Sequence, residues 1–212
     1  MAKTITVIGA GIVGVCCALH LQREGFAVRL IEKGEPGMKA SFGNSGSFGT
    51  ASCVPFAMPG VLKKVPRMLF DSESPLKLRW SHVPAALPWF LRFIASARRE
   101  RVERIAAERN SLLVHTHAGY APLIEGADAS QWVDNNGLMM VFESEAAFEG
   151  AAYALDLRRR NGVHMDILDG NEARQMEPAL AKSIVKAVSL PDVGRTIDPF
   201  RLTDSLAKDF VR

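Results

Sequence analysis

The chain has 212 residues, 48% of them hydrophobic, which is enough to bury the core of one large or two small domains. A net charge of +3 gives no case for a nucleic-acid partner, and three cysteines are too few for a disulfide framework. Apolar runs without glycine or charge stay below the ~18–20 residues of a membrane span. Composition therefore indicates a globular protein of a reducing compartment.

The first 32 residues carry the clearest pattern in the chain. Residues 4–8 alternate and are rich in β-branched side chains, which predicts a buried strand. Three glycines follow in a G-x-G-x-x-G spacing, and apolar residues at helical spacing then continue up to Gly25. Residues 27–32 predict a second strand, and its last residue is the acid Glu32. This order is typical of a dinucleotide-binding fold.

Each residue type in this pattern has a physical role. Gly9 permits the tight turn, Gly11 lets a pyrophosphate approach the backbone, and Gly14 lets the helix pack closely on the strand. Free N–H groups at the helix start suit phosphate oxygens. Glu32, 21 residues after Gly11, is placed to accept hydrogen bonds from a ribose diol. A glycine-rich turn in an ordinary α/β core is the structural alternative.

The same N-terminal segment also has features of a secretory signal peptide. It is apolar up to Leu21, carries an early Lys3, and contains small residues at 16–18. The spaced glycines suit such a segment poorly, and cleavage would remove the glycine pattern. We therefore expect a cytoplasmic protein.

A long loop is predicted from Lys33 to Gly60, because glycines and prolines recur throughout it. Small and hydroxyl side chains at its centre, residues 40–46, would let the backbone lie against a flat ring or a phosphate. Loops of this length in compact domains are usually functional, although a plain surface loop explains the composition equally well.

Taken together, several of these segments resemble one family. The glycine pattern, Glu32, Ser41-x-x-Asn44-Ser45-Gly46 and residues 57–61 resemble the D-amino-acid oxidase superfamily of FAD-dependent enzymes, and within it the small subunits of bacterial D-amino-acid dehydrogenases. The likeness continues at residues 89–93, 136–142, 177–180 and 198–203, so it covers nearly the whole chain. Residues 47–50 depart from those dehydrogenases, which leaves the substrate and acceptor preference open.

The resemblance implies an α/β fold: a Rossmann-like FAD-binding domain with an inserted α+β substrate domain. Family members run substantially further, so both domains are expected to be incomplete here. The expected parts are an FAD-binding segment at 1–70, a substrate-domain segment at 71–195, and a helix returning to the FAD-binding domain at 196–212. The expected FAD-binding residues are Gly9, Ala10, Gly11, Ile12, Val13, Gly14, Glu32, Lys33, Ser41, Asn44, Ser45 and Gly46.

The implied reaction is oxidation of a D-amino acid, or a related small amino acid, by hydride transfer to the flavin. The products would be a 2-oxo acid and ammonia, and the implied partner is an electron-transport acceptor. No acid–base pair stands out in the sequence, so no catalytic residue is assigned. Two alternatives stay open: a non-catalytic nucleotide-binding fragment, and a nicotinamide dehydrogenase with the same glycine pattern. The long loop after Glu32 argues against the second.

The middle of the chain is mostly helical in its pattern. Alternation of Leu76, Leu78 and Trp80 predicts a short strand, and residues 84–124 predict helices. Six arginines between 92 and 109 lie close to aromatic residues. A solvated face, with three glutamates offsetting half of these charges, is the favoured interpretation. Peripheral contact with the inner face of a membrane is the alternative.

The pair His115 and His117 would diverge on a helix by about 200°, so no metal site is predicted. The remaining expected elements are strands at 137–142, 163–168 and 185–190, helices at 143–161 and 171–176, and a last helix with Asp198 as N-cap and Pro199 at its first position.

Overall fold

The computed structural model describes residues 3–60, 77 and 79–212. The strands are β1 (Thr4–Ile8), β2 (Ala27–Ile31), β3 (Val133–Asp134), β4 (Leu138–Phe142), β5 (Asp166–Asp169), β6 (Lys186–Leu190) and β7 (Arg195–Thr196). The α-helices are α1 (Ile12–Arg23), α2 (Val83–Ser96), α3 (Arg99–Leu113), α4 (Thr116–Gly126), α5 (Glu145–Gly150), α6 (Ala152–Arg160), α7 (Gly170–Met176) and α8 (Pro199–Val211). This is the mixed α/β architecture that the sequence predicts.

The N-terminal unit is β1–α1–β2. The two strands pair in parallel, with Thr4 opposite Ala27 and Ile8 opposite Ile31. Helix α1 connects them and buries its apolar stripe, including Leu19. The predicted strand–helix–strand order is confirmed, and β2 ends one residue before Glu32.

Helix α8 packs beside α1 and runs in the same direction. Arg23 at the end of α1 forms an ion pair with Asp209 near the end of α8, at 3.7 Å. Leu202 and Leu206 of α8 are fully buried in one cluster that also contains Leu19 of α1. The first and last helices of the chain therefore share one hydrophobic core.

A second sheet is antiparallel, with β6 between β4 and β5. Val188 of β6 is opposite Met140 on one side and Ile167 on the other. Its buried residues pack against Leu155 of α6. The short strands β3 and β7 form a separate antiparallel pair.

Two elements differ from expectation, and a third lies mostly outside the described residues. The helix predicted over 143–161 is two helices, α5 and α6. They meet at Ala151, whose amide donates to the Phe148 carbonyl only three residues back and which is also the N-cap of α6. The strand predicted from residue 163 begins only at Asp166, where pairing with β6 begins. Leu76 and Leu78 lie outside the described residues, and Trp80 begins a 3-10 turn that ends at His82.

The predicted domain boundary near residue 70 also lies outside the described residues, and the three proposed segments stay a prediction. In the part of the chain that the structure describes, no helix has both the length and the hydrophobicity needed to cross a bilayer.

Candidate functional site

The turn between β1 and α1 depends on two of the three glycines. Gly9 has a φ of +101°, a conformation that side-chain-bearing residues rarely adopt. A Cβ on Gly14 would overlap the carbonyl oxygen of Gly9, so only glycine allows this approach of helix and strand. The amide of Gly9 donates to the Ile31 carbonyl at 2.7 Å, which ties the turn to β2. These are the conformational roles that the spacing predicts.

The long loop lies against the start of α1. The hydroxyl oxygen of Ser41, a buried residue, accepts a hydrogen bond from the Ile12 amide at 2.9 Å. A Cβ on Gly11 would lie 3.1 Å from the same oxygen, so any larger residue at position 11 would press on it. Ser41 therefore satisfies one of the amides that helix geometry leaves free at the start of α1.

Glu32 sits at the end of β2 as the acceptor of four hydrogen bonds. Its Oε2 accepts from the Ala10 amide at 2.9 Å. Its Oε1 accepts from the amides of Lys33 (2.7 Å) and Gly34 (3.3 Å) and from the Lys39 ammonium (2.7 Å). The Lys39 hydrogen bond first, and then the three amides, lower the pKa of Glu32 to about 2. The carboxylate is therefore ionised throughout the physiological range.

The centre of the loop has a fixed geometry. The Gly46 amide donates to Asn44 Oδ1 at 2.7 Å, and Gly46 has a φ of +66°. The Thr196 amide of β7 donates to the Gly46 carbonyl at 2.8 Å. Two residues on, the Phe48 amide donates to the Gly194 carbonyl at 2.8 Å. This part of the loop is thus attached to β7 by backbone hydrogen bonds.

The loop and the starts of α1 and α8 line a half-open cavity of about 290 Å³. Helices α1 and α8 both begin at this cavity, with Ile12 and Pro199 as their first residues. Two helix N-termini bring partial positive charge to one place, which favours an anionic group. The lining residues are Ile12, Asn44, Ser45, Gly46, Ser47, Phe48, Tyr120, Thr196, Pro199, Leu202 and Thr203.

The structure brings the predicted site residues together in two neighbouring groups. Ile12 and the predicted residues at 44–46 line the cavity, and Ser41 is joined to Ile12 by a hydrogen bond. Ala10, Glu32 and Lys33 form the second group, around the Glu32 carboxylate. Val13 is 74% exposed.

Sequence reasoning did not identify several residues of this site. The ring of Phe48 stacks on Tyr120 of α4 at 4.8 Å between centroids, and both line the cavity. Burial first, and then the neighbouring Cys16 thiol, raise the pKa of Tyr120 to about 12, so its phenol stays protonated. No local sequence pattern identifies Tyr120 as a site residue, because it reaches the cavity only through the packing of α4 against the loop.

The two histidines of the H-x-H pair have different surroundings. His115 precedes α4 and His117 lies within it, where its Nε2 is 2.9 Å from the Asp192 carbonyl oxygen. Among the described residues, no group of three or more potential ligand side chains could hold a metal ion.

Comparison with known proteins shows to which family the chain belongs. A model for DAO, FAD dependent oxidoreductase, matches residues 4–212. A D-amino-acid oxidase of Bradyrhizobium diazoefficiens is 38% identical over 208 residues, which are 97% of this chain and 49% of that protein. D-amino acid dehydrogenase 2 of Ralstonia nicotianae is 37% identical over 193 residues, 89% of this chain and 45% of that protein.

A solved structure shows the same fold. Glycine oxidase from Geobacillus kaustophilus superposes with a TM-score of 0.60 at 19% identity, over 99% of this chain and 44% of that chain. The chain spans about half the length of the curated relatives it matches. Since the family model matches almost every residue, the chain belongs to the DAO family of FAD-dependent oxidoreductases.

Proposed function

We propose that this chain binds FAD at the glycine turn and the adjoining cavity, and that the protein it represents oxidises D-amino acids or related small amino acids. The observation that carries the cofactor proposal is the cavity of about 290 Å³ at the start of both α1 and α8, next to the glycine turn. The names of the two relatives, a D-amino-acid oxidase and a D-amino acid dehydrogenase, support the substrate class.

The residue types at the glycine turn and at the end of β2 support the proposal of a dinucleotide site. Gly9, Gly11 and Gly14 would hold the pyrophosphate, since a side chain at position 11 would press on Ser41 and one at position 14 on the turn itself. Glu32 is ionised and lies at the end of β2, where an adenosine ribose binds in this type of fold.

The loop would supply the rest of the binding surface. Ser41, Asn44, Ser45 and Gly46 would line the path from the pyrophosphate towards the flavin. The hydrogen bonds of Asn44 and Gly46 hold this path in one conformation, which lowers the entropy cost of binding.

When bound, FAD would supply the redox chemistry by accepting a hydride from the substrate α-carbon. The resulting imino acid would hydrolyse to a 2-oxo acid and ammonia. The described residues bind and orient, and no catalytic residue is assigned among them. The raised pKa of Tyr120 argues against a role for its phenol as a base.

Flavin retention tests the proposal. Purified protein should retain FAD, and Gly11→Glu should reduce retention at least tenfold, because the new carboxylate would meet both Ser41 and the pyrophosphate. Gly150→Glu is the matched control, since a Cβ at Gly150 has no neighbour within 4 Å. Equal retention by the wild type and Gly11→Glu would refute FAD binding at this turn.

Substrate and cofactor controls separate the alternatives. Anaerobic addition of D-alanine should bleach the oxidised flavin, whereas L-alanine should not. Flavin retention without bleaching would support the non-catalytic fragment. Tighter binding of NAD than of FAD would support the nicotinamide dehydrogenase.

We also propose that α2 contacts an anionic membrane surface, where an electron-transport acceptor would be available. Trp80, Trp89 and Leu91 are 71%, 60% and 60% exposed. Residues 79–99 contain four arginines and no acidic residue; Arg92 lies in α2, and Arg99 pairs with Glu103 of α3 at 3.2 Å. Exposed aromatic and apolar side chains beside cations favour binding at a lipid headgroup layer over a merely solvated face.

Vesicle sedimentation tests this contact. Phosphatidylglycerol vesicles at low salt should sediment the protein, phosphatidylcholine vesicles should not, and Trp89→Ser should weaken the effect severalfold. Absence of sedimentation with phosphatidylglycerol at low salt would refute the membrane contact and leave α2 as a solvated helix.

A further inference from the structure

The hydrogen bonds around Glu32 use the full acceptor capacity of one of its two carboxylate oxygens. An ionised carboxylate has about four lone-pair positions. Glu32 receives four donors, which are the amides of Ala10, Lys33 and Gly34 and the ammonium of Lys39. A ribose diol needs two acceptors for its two hydroxyl protons. Oε2 accepts from the Ala10 amide alone and keeps a position for one hydroxyl, whereas Oε1 accepts from the other three donors. The second hydroxyl can therefore bind at Oε1 only after a donor leaves that oxygen.

Only one of the four donors is free to leave without moving the backbone. The Ala10 amide belongs to the glycine turn, and its carbonyl accepts from the Gly37 amide at 2.9 Å. The amides of Lys33 and Gly34 belong to the turn that directly follows β2. Lys39 instead reaches Glu32 with a flexible side chain that is 67% exposed, whereas the Glu32 side chain is 13% exposed.

We infer that Lys39 and a ribose diol compete for the same oxygen of Glu32, so that a nucleotide must displace the Lys39 ammonium to bind with both hydroxyls. This inference rests on the proposed function, because it assumes that the adenosine ribose binds at Glu32. Lys39 is then a residue that sets the affinity for ribose-containing ligands, and it competes with them through its own side chain.

The expected effect is small but specific. Exposed ion pairs contribute little to stability, so their release lowers affinity by a factor of about two to five. Removing Lys39 should strengthen binding by that factor for a ligand with an intact diol. It should strengthen binding less for a ligand that lacks the 2′-hydroxyl, because the one remaining hydroxyl can bind at Oε2 without displacing Lys39 from Oε1. The neighbouring positive charge acts on phosphates equally in both ligands.

The experiment compares ADP with 2′-deoxy-ADP by calorimetric titration of the purified chain. The measured quantity is the ratio of the two affinities, in which the attraction between Lys39 and the phosphates cancels. Lys39→Met should raise this ratio about two- to fivefold, and Lys39→Arg should leave it near the wild-type value. Lys208→Met is the matched control, because Lys208 is 70% exposed and pairs with Asp204 at the same 2.7 Å.

The outcomes separate this inference from the proposed function. If both ligands bind and Lys39→Met leaves the ratio unchanged or lowers it, the displacement of Lys39 is refuted while the nucleotide site stands. If neither ligand binds the wild type or any variant, the nucleotide site and the inference are both refuted. A rise in the ratio for Lys39→Met, but not for Lys208→Met, supports the inference.

Discussion

Gly14→Ala tests the packing of α1 on β1 most directly. The added methyl group would overlap the Gly9 carbonyl oxygen and lie 3.6 Å from Cγ1 of Val7. The first of these contacts is with backbone, which cannot rotate away as a side chain can. Relief requires α1 to move away from β1, and that movement would also loosen the buried contacts of Val15 and Leu19.

The magnitude follows from two opposing effects. Overpacking of a close contact costs about 3 kcal/mol at the upper end of the usual range. Alanine inside a helix is more favourable than glycine by about 1 kcal/mol. We therefore expect Gly14→Ala to lower the free energy of unfolding by about 2 kcal/mol. In urea, that corresponds to a midpoint lower by roughly 1 M.

Urea unfolding followed by far-ultraviolet circular dichroism provides the assay. Gly119→Ala is the matched control: Gly119 lies inside α4, and a Cβ there would have no neighbour within 4 Å. It should raise the free energy of unfolding by up to about 1 kcal/mol, because only the helix-propensity effect remains. The two alanine substitutions are thus expected to change stability in opposite directions.

One result would refute the reasoning. If Gly14→Ala raised the urea midpoint as Gly119→Ala does, α1 would not be packed closely on the turn. Steric packing would then not explain why the third position of the pattern is glycine.

Two further predictions concern the loop and Glu32. Gly46→Ala should lower the free energy of unfolding by about 1–3 kcal/mol and reduce flavin retention. The reason is that Gly46 has a φ of +66° and that the added methyl group would press on the Thr196 carbonyl. Gly43→Ala is the control and should change little, because a Cβ there would have no neighbour within 4 Å. The pKa of Glu32 is lowered from 4.5 to about 2, so its contribution to stability is complete above pH 4.5 and disappears as the pH falls towards 2. Glu32→Gln should flatten the dependence of the urea midpoint on pH in that interval, and an unchanged dependence would contradict the assignment.

The sequence predicts the N-terminal unit well because its signals are local. Alternation over residues 4–8, the glycine spacing and Gly25 each act within one turn or strand, and the structure places β1, α1 and β2 accordingly. Asp198 is likewise the N-cap of α8, and its side chain accepts from the Arg201 amide at 2.9 Å. Capping depends only on neighbouring residues.

The sequence does not predict what long-range contacts decide. Tyr120 and Thr196 join the cavity only because α4 and β7 pack against the loop. Lys39 is an exposed lysine in a loop, and its ion pair with Glu32 is visible only in the folded structure. The late start of β5 depends on its pairing with β6, and a residue's own pattern carries no information about its partner strand.

The shared core of α1 and α8 has a consequence for synthesis of the chain. Leu19 and Leu202 belong to one buried cluster, yet about 180 residues separate them. At a synthesis rate of roughly 5–20 residues per second, α8 leaves the ribosome roughly 10–40 s after α1. The apolar stripe of α1 is not covered by α8 during that time. Limited proteolysis of stalled chains of increasing length would show the length at which α1 becomes protected. During this delay the glycine turn exists without the helix that completes its cavity, so the cavity forms only late in the synthesis of the chain.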